Sequence, residues 1–406
     1  MSKLIFKDLY LFSPSEKLAK KISFAPGRTM ITSDAHDGTD RGKSVIMKAL
    51  YHTMGADCYF EGKWDDSSKT YILRFCVDDD EYYIFRHNKL FKVFDGEKNL
   101  LFSVISRHEL SERLSSITGF AVKLPPRERN SDDGYIQELE IASAVYNYLL
   151  YFVDQDYQNG SQFASFQHLG EYLDYKENVL YYHFGAFDDD YYMLVQEQDI
   201  LLAEGASTEI NDILKHEGFI DIKESVAEDL DTIRNSISEN EKKLREVKKS
   251  LRKYGEIKKK INERYYALML SDKNRFGLEG INAKSFENIK RTFSAGGSNN
   301  PLSTIIWYVN LIQLKHEFNP SAIDFPVVFD SPNNAETDET KKRQIYSYIC
   351  ERITENQLIV SGLGFSGDEI LDSFDSIITL TNNKYELLCQ KDYDANVSLL
   401  RELNNK

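Results

Sequence analysis

A short polar segment near the start of the chain has the residue types that bind phosphate groups. The segment Asp37–Ser44 follows a β-type run at Arg28–Thr32, and a helix is expected after Arg41. The backbone N–H groups of such a turn, and the N-terminus of the helix after it, carry the positive partial charge that a triphosphate requires. In this pattern Lys43 reaches the β and γ phosphates, and the hydroxyl of Ser44 holds Mg²⁺. The segment therefore predicts a site for ATP and Mg²⁺ with the contact residues Asp37, Gly38, Thr39, Asp40, Arg41, Gly42, Lys43, Ser44 and Val45.

The segment also departs from the full phosphate-binding pattern, which has glycine where this chain has Asp37. Asp34, Asp37 and Asp40 add negative charge beside the expected phosphates.

A second candidate lies late in the chain, where the apolar strand Phe325–Phe329 ends in Asp330. An aspartate at this strand end is suited to hold the water shell of a Mg²⁺ ion bound at Ser44. The alternative is a core strand followed by an Asp-Ser-Pro turn that caps a helix. The Gly-Lys-Ser sequence upstream favours the metal interpretation, which adds Asp330 to the predicted metal ligands.

Strands and helices that alternate along the chain must position these residues. In the first part, the segments predicted as strands are Leu4–Leu11, Arg28–Thr32, Tyr71–Val77 and Tyr82–Arg86, and the helix after Arg41 is expected to end at Gly55. In the last part, helices at Asn300–Lys315 and Thr340–Arg352 alternate with strands at Phe325–Phe329, Gln357–Val360 and Ser376–Leu380. This alternation predicts an α/β fold with a parallel sheet covered on both faces.

The middle of the chain, residues 188–268, is charged and reads as helical. From Val226 to Leu268, apolar residues recur at heptad spacing, and Asn240 and Lys258 occupy two seam positions as polar residues that fix register. The segment before it is helix-prone but interrupted by Gly205. We predict an antiparallel helical hairpin that turns at Gly218; the alternative is a helical subdomain packed on the core.

Five segments in this order resemble motifs of SMC, RecF and RecN-like ATPases. Gly42–Gly55 resembles the P-loop helix, Phe152–Asp156 the Q-loop, Phe293–Asn300 the ABC signature loop, Phe329–Pro332 the Walker B strand end, and Asn333–Glu336 the D-loop. The resemblance implies that Gln155 contacts Mg²⁺ and the attacking water. It also implies that Gly296, Gly297 and Ser298 contact the γ-phosphate held by a second copy of the head, whereas the alternative interpretation of that segment is an ordinary loop.

The resemblance implies an ABC-type P-loop ATPase head, a mixed sheet flanked by helices, with an inserted antiparallel helical hairpin. The N-terminal part of the head is then 1–187, the short coiled-coil arm 188–268, and the C-terminal part of the head 269–406.

Two departures from this family bear on hydrolysis. Ser331 occupies the position where the family has a glutamate general base, and a serine cannot take a proton from water at neutral pH without help. The residues after Val360 also lack the switch histidine of the family. Glu336 or Asp338 are the substitutes within reach in sequence, so the predicted catalytic residues are Lys43, Gln155, Asp330 and Glu336.

A basic patch lies in the second half of the predicted arm, although the chain has a formal net charge of -15. One interpretation is a contact with the phosphate backbone of DNA. The other is a solvated coiled-coil face paired with acidic residues of the opposite helix, such as Glu197, Asp199, Glu204 and Glu209. The residues of the patch are Lys242, Lys243, Arg245, Lys248, Lys249, Arg252 and Lys253.

The overall composition points to a cytoplasmic protein without a membrane partner. The four cysteines are far apart in sequence, which disfavours a zinc ribbon or redox dithiol and fits a reducing compartment. No stretch reaches the ~20 apolar residues of a membrane span.

The sequence is compatible with three functions. The first is an SMC-like ATPase whose heads dimerise around ATP and sense or clamp DNA, in genome maintenance or anti-phage defence, with effector or accessory subunits. The second is a nucleotide-gated scaffold that hardly hydrolyses ATP and controls a partner effector. The third is a transporter ATPase subunit, which the heptad arm between Q-loop and signature disfavours.

Overall fold

The computed structural model describes residues 2–33, 40–60, 62–125, 139–154, 163, 165–172, 174–216, 226–290, 299–332, 339–362 and 370–406. The chain divides into two compact units. One comprises Met1–Val122, Ile141–Gly170 and Arg264–Lys406, and the other comprises Lys123–Glu140 and Glu171–Glu263. The predicted division at residues 188 and 269 stays a prediction.

Strands and helices alternate through the chain much as the sequence predicts, and the α/β class is confirmed. The strands are β1 (Leu4–Ser13), β2 (Leu18–Ser23), β3 (Arg28–Ser33), β4 (Thr70–Val77), β5 (Asp80–His87), β6 (Leu90–Asp95), β7 (Leu100–Val104), β8 (Lys123–Leu124), β9 (Glu140–Ile141), β10 (Phe152–Val153), β11 (Val327–Phe329), β12 (Leu358–Ser361) and β13 (Ser376–Leu380). The α-helices are α1 (Lys43–Thr53), α2 (Arg107–Thr118), α3 (Tyr175–His183), α4 (Asp189–His216), α5 (Val226–Phe276), α6 (Asn299–Phe318), α7 (Glu339–Arg352) and α8 (Gln390–Asn405).

The first unit contains an antiparallel sheet in the order β2-β1-β4-β5-β6-β7. A short acidic turn at Asp78 and Asp79 joins β4 to β5, which pair antiparallel. Leu400 and Leu403 of α8 pack with Tyr10, Phe12 and Phe85 of this sheet in one buried cluster. The C-terminal helix therefore supplies part of the core of this sheet.

The same unit contains a second, fully parallel sheet in the order β10-β11-β12-β3-β13. Every residue of β11 and β12 is buried, as expected for parallel strands covered on both faces. The early strand β3 lies between the late strands β12 and β13. This order brings the carboxyl end of β3 near those of β11 and β12, the edge at which open α/β sheets bind ligands.

Helix α1 lies between the two sheets, because it contacts β4 and β5 of the antiparallel sheet and β12 of the parallel sheet. Ile46, Met47 and Leu50 are fully buried, as a helix covered on all sides requires. Gly55 follows with φ 96°, so the helix ends at the glycine that the sequence indicates.

In the second unit, α4 and the first part of α5 run antiparallel. Asn240 on α5 donates a hydrogen bond to the carbonyl of Leu201 on α4 (3.4 Å), and the rings of Tyr191 and Tyr254 lie 5.3 Å apart further along the same two helices. Helix α4 continues through Gly205, where the sequence indicated an interruption, since one glycine costs a long helix only about 1 kcal/mol. The predicted turn at Gly218 lies outside the described residues.

No helix in the described part of the chain is long and apolar enough to cross a membrane.

Candidate functional site

The start of α1 is built for close approach of a ligand to the backbone. Gly42 precedes the helix with φ 93°, a conformation that strains residues with a side chain. A Cβ atom at Gly42 would lie 2.8 Å from Cδ2 of Leu387, so the position also lacks space. The helix then begins at Lys43, and the first N–H groups of a helix point away from its own carbonyl groups.

Lys43 is buried beside the end of β3. Its Nζ donates a hydrogen bond to Oγ of Ser33 at 2.7 Å, and only 7% of the residue is exposed. Burial lowers the pKa of Lys43 to about 8, while the negative charge of Asp330 acts in the opposite direction. The ammonium group is therefore poorly solvated and within electrostatic reach of Asp330.

Asp330 follows β11 and is fully buried. Its Oδ1 accepts a hydrogen bond from Oγ of Ser361 at 2.6 Å, and its backbone N–H donates to the carbonyl of Val153 at 2.9 Å. The hydroxyl of Tyr346 donates to the carbonyl of Ser361 at 3.1 Å. These contacts hold the carboxylate at the carboxyl edge of the parallel sheet.

Ser331, at the position where a glutamate was expected, belongs to the same buried group. Its φ is 43°, its N–H donates to Oγ of Ser361 at 2.9 Å, and its Oγ lies 3.2 Å from that atom. The serine thus extends the hydrogen-bond network around Asp330.

Sheet order brings the early and late predicted residues together. Lys43 follows β3 and Asp330 follows β11, with only β12 between these strands. Ser33 and Ser361, which end β3 and β12, are functional candidates that the sequence analysis did not identify. A serine that ends an apolar run was the only available signal, and serines are common in turns.

The segment Asn382–Tyr385, near the C-terminus, holds the residues before Gly42. The backbone N–H and the hydroxyl of Tyr385 donate to the carbonyl and to Oδ2 of Asp40, each at 2.7 Å. Asn382 donates through Nδ2 to the carbonyl of Arg41 at 3.1 Å, and Nη1 of Arg41 donates to the carbonyl of Asn382. Tyr385 therefore holds the carboxylate of Asp40, one of the acidic groups that add negative charge beside the expected phosphates.

Several predicted site residues lie outside the described part of the chain: Asp37, Gly38, Thr39, Gln155, Gly296, Gly297, Ser298 and Glu336. Ser44 and Val45 occupy the first turn of α1, next to Lys43. The residue before Gln155 is Asp154, which is fully buried.

The residues at this edge fit a nucleotide with Mg²⁺. Mg²⁺ keeps several waters and uses one or two carboxylates together with phosphate oxygens. The buried carboxylate of Asp330 and the hydroxyl of Ser44 supply such donors, and Lys43 supplies a cation for the phosphates. Among the described residues, no group of three His, Cys, Asp or Glu side chains is placed to hold a metal ion.

The basic patch lies on α5 in the second unit, and all seven of its side chains are exposed. Within the described residues, its one ion pair joins Arg245 to Glu241 of the same helix at 3.2 Å. Of the acidic residues on the opposite helix, Glu204 contacts Asn240 (3.3 Å), and the side chain of Glu209 lies outside the described part. The patch thus presents its positive charge to solvent.

No protein-family model matches the chain. The chain is similar to Lamassu protein LmuB of Bacillus cereus (strain VD014), with 22% identity over 561 aligned positions that cover 98% of this chain and 97% of that protein. The alignment is longer than this chain, so LmuB has residues that face gaps here. Another Lamassu protein LmuB, from a Bacillus species, is 26% identical over 141 residues, which are 34% of this chain and 22% of that protein.

Among solved structures, the Smc head domain of Pyrococcus furiosus with an extended coiled coil, bound to the C-terminal domain of ScpA, matches 100% of both chains. The TM-score is 0.52 at 13% sequence identity. The chain therefore has the fold of an SMC-type ATPase head with a helical arm, and the expected resemblance is confirmed at the level of the fold.

Proposed function

We propose that this chain binds ATP with Mg²⁺ at the start of α1 and that two copies close around two ATP molecules as an SMC-like ATPase. The observation that carries this proposal is the buried ammonium of Lys43 within electrostatic reach of the buried carboxylate of Asp330. A buried cation beside the N-terminus of a helix suits the phosphates of a nucleotide.

Each residue has a distinct role in this proposal. Gly42 lets the phosphates approach the backbone, Lys43 neutralises the β and γ phosphates, and Ser44 and Asp330 hold the metal and its water shell. Mg²⁺ supplies charge neutralisation of the triphosphate. Gln155 is the candidate for contacting both Mg²⁺ and the attacking water, and Glu336 is the candidate for activating that water. Gly296, Gly297 and Ser298 are the candidates for the contact across the dimer.

We further propose that the protein acts on DNA through the basic patch and works with accessory or effector subunits in genome maintenance or anti-phage defence. The similarity to Lamassu protein LmuB over nearly the whole chain supports a role shared with that protein. The matching Smc head is bound to the C-terminal domain of ScpA, which supports a protein partner for a head of this fold.

The test is ATP binding, ATP turnover and mass in solution for the wild-type protein, Lys43→Ala and Asp330→Asn. The wild-type protein should bind ATP, and its mass should rise from 47.0 kDa to about twice that value with Mg²⁺ and ATP. Lys43→Ala should lose both ATP binding and the ATP-dependent rise in mass. Lys391 is an exposed lysine on α8, and Lys391→Ala should keep both. A wild-type protein that binds no ATP would refute the proposal.

The position of Ser331 favours a second candidate, a nucleotide-gated scaffold that controls a partner with little hydrolysis. The serine lies within hydrogen-bond distance of Ser361 and cannot itself act as the general base. Tight ATP binding and dimerisation without steady-state turnover, with and without DNA, would select the scaffold over the ATPase.

A further inference from the structure

A buried ion pair joins α1 to the residue that follows β10. Nζ of Lys48 lies 3.1 Å from Oδ2 of Asp154, and the two side chains are 3% and 0% exposed. Removing two charges from water is energetically costly, so such a pair is weak evidence for a gain in stability. The two elements that it connects suggest another reason for its presence.

The lysine end of the pair lies on the helix that carries Ser44. Lys48 comes four residues after Ser44, so both side chains lie on the same face of α1. This face therefore presents the proposed metal ligand and, one turn later, the partner of Asp154. Fixing Lys48 fixes how this face of α1 is rotated.

The aspartate end of the pair is attached to the strand that supports Asp330. The backbone N–H of Asp330 donates to the carbonyl of Val153, the residue before Asp154, at 2.9 Å. The backbone N–H of Asp154 donates to Oγ of Ser165 at 3.0 Å. Because β10 has only two residues and, among the strands that the structure describes, pairs with β11 alone, few ladder hydrogen bonds hold it.

We propose that Lys48 and Asp154 are positioning residues, which fix the separation between Ser44 on α1 and Asp330 at the end of β11. This role rests on the proposed function, since Ser44 and Asp330 matter together only if they share Mg²⁺ with a nucleotide. Ser44 and Asp330 belong to different elements, and the buried pair is a direct tie between those elements.

The test compares variants that remove the pair without leaving one charge buried alone. Lys48→Met/Asp154→Leu replaces both groups by apolar side chains of similar volume, a change that is often neutral for stability. Lys48→Arg keeps the charge, and Lys48→Gln/Asp154→Asn is the substitute if the apolar variant does not fold. The readouts are the affinity for ATP with Mg²⁺ and with EDTA, the kcat and KM of turnover, and the midpoint of urea unfolding.

The apolar variant should unfold near the wild-type midpoint and keep its ATP affinity in EDTA within about twofold. The gain in ATP affinity that Mg²⁺ provides should fall about tenfold or more, because small errors in position are costly at such sites. Where turnover is measurable, kcat should fall by a similar factor. Lys48→Arg should keep most of both quantities.

A folded apolar variant with the wild-type effect of Mg²⁺ would overturn the positioning role while leaving the proposed function intact. A variant that only lowers the unfolding midpoint would show that the pair is structural. Absence of ATP binding in the wild-type protein is a different result, because it refutes the proposed function before any change at Lys48.

Discussion

At the scale of single residues, Lys43 has an environment that disfavours its own charge. Its ammonium group is removed from water, and the hydroxyl of Ser33 is a neutral partner. Burial is the largest cause of its lowered pKa, and the carboxylate of Asp330 compensates only in part. A triphosphate bound beside Lys43 would add negative charge there and favour the protonated amine.

This arrangement predicts that ATP affinity falls as pH rises through about 8, where the free protein loses the proton of Lys43. Because an unfolded lysine stays protonated to about pH 10.4, the unfolded chain binds more protons between these values. The contribution of Lys43 to the free energy of unfolding therefore rises with pH in that window, and below about pH 8 the cost of the buried charge is fully present.

The measurement is a fluorescence titration of ATP from about pH 6.5 to 9.5. Lys43→Arg is the matched control, since arginine keeps its charge through this range and should show no fall at Lys43's pKa. A wild-type affinity that does not change across this range would contradict the prediction.

At the scale of elements, Asp272 joins three helices of the first unit. This fully buried residue of α5 accepts hydrogen bonds from Asn310 on α6 (2.9 Å), and from Tyr348 (2.7 Å) and Arg352 (3.1 Å) on α7. Helix α6 follows the predicted signature loop, and α7 follows the strand end with Asp330. Asp272 thus connects α6 and α7, the helices that follow these two segments of the proposed dimer site.

Asp272→Ala should lower the free energy of unfolding by about 3 kcal/mol, because it leaves a guanidinium and two polar groups without their acceptor. Urea unfolding measures this change. Asp372→Ala removes an exposed aspartate and should change the free energy by less than about 0.5 kcal/mol. Equal effects of the two substitutions would show that the buried network contributes nothing.

At the scale of the whole molecule, charge is distributed unevenly. The chain has a formal net charge of -15, yet seven exposed basic side chains lie within twelve residues of α5. A net negative charge repels DNA at long range, so binding would depend on this local patch and on the salt concentration.

Lys249→Ala/Arg252→Ala should weaken DNA binding and reduce the slope of log affinity against log salt by about 0.9 for each DNA phosphate that the variant no longer neutralises. Lys391→Ala/Arg401→Ala removes the same charges from α8 and should leave the slope unchanged. Filter binding over a range of salt concentrations measures both variants. If both pairs weaken binding equally, the effect comes from net charge and the patch has no specific role.

The sequence predicted α1, α5 and four of the five strands of the parallel sheet, because such patterns depend on neighbouring residues. Heptad spacing predicted α5, and Asn240 in its seam contacts Leu201 on α4 as a register-fixing residue should. The Gly-Lys-Ser segment predicted the start of α1, and Gly55 predicted its end. These patterns involve residues that are close together in sequence, so they can be recognised without knowledge of the fold.

Which distant residues share one site depends on how the whole chain folds. Lys43 comes within electrostatic reach of Asp330 because β3 is inserted among the late strands. Ser361 meets Asp330 because β12 pairs with β11. Lys48 on α1 meets Asp154 after β10. Tyr385 contacts Asp40 from 345 positions away. The cost of burying Lys43, and hence its lowered pKa, depends on every atom packed around it, which no local pattern encodes.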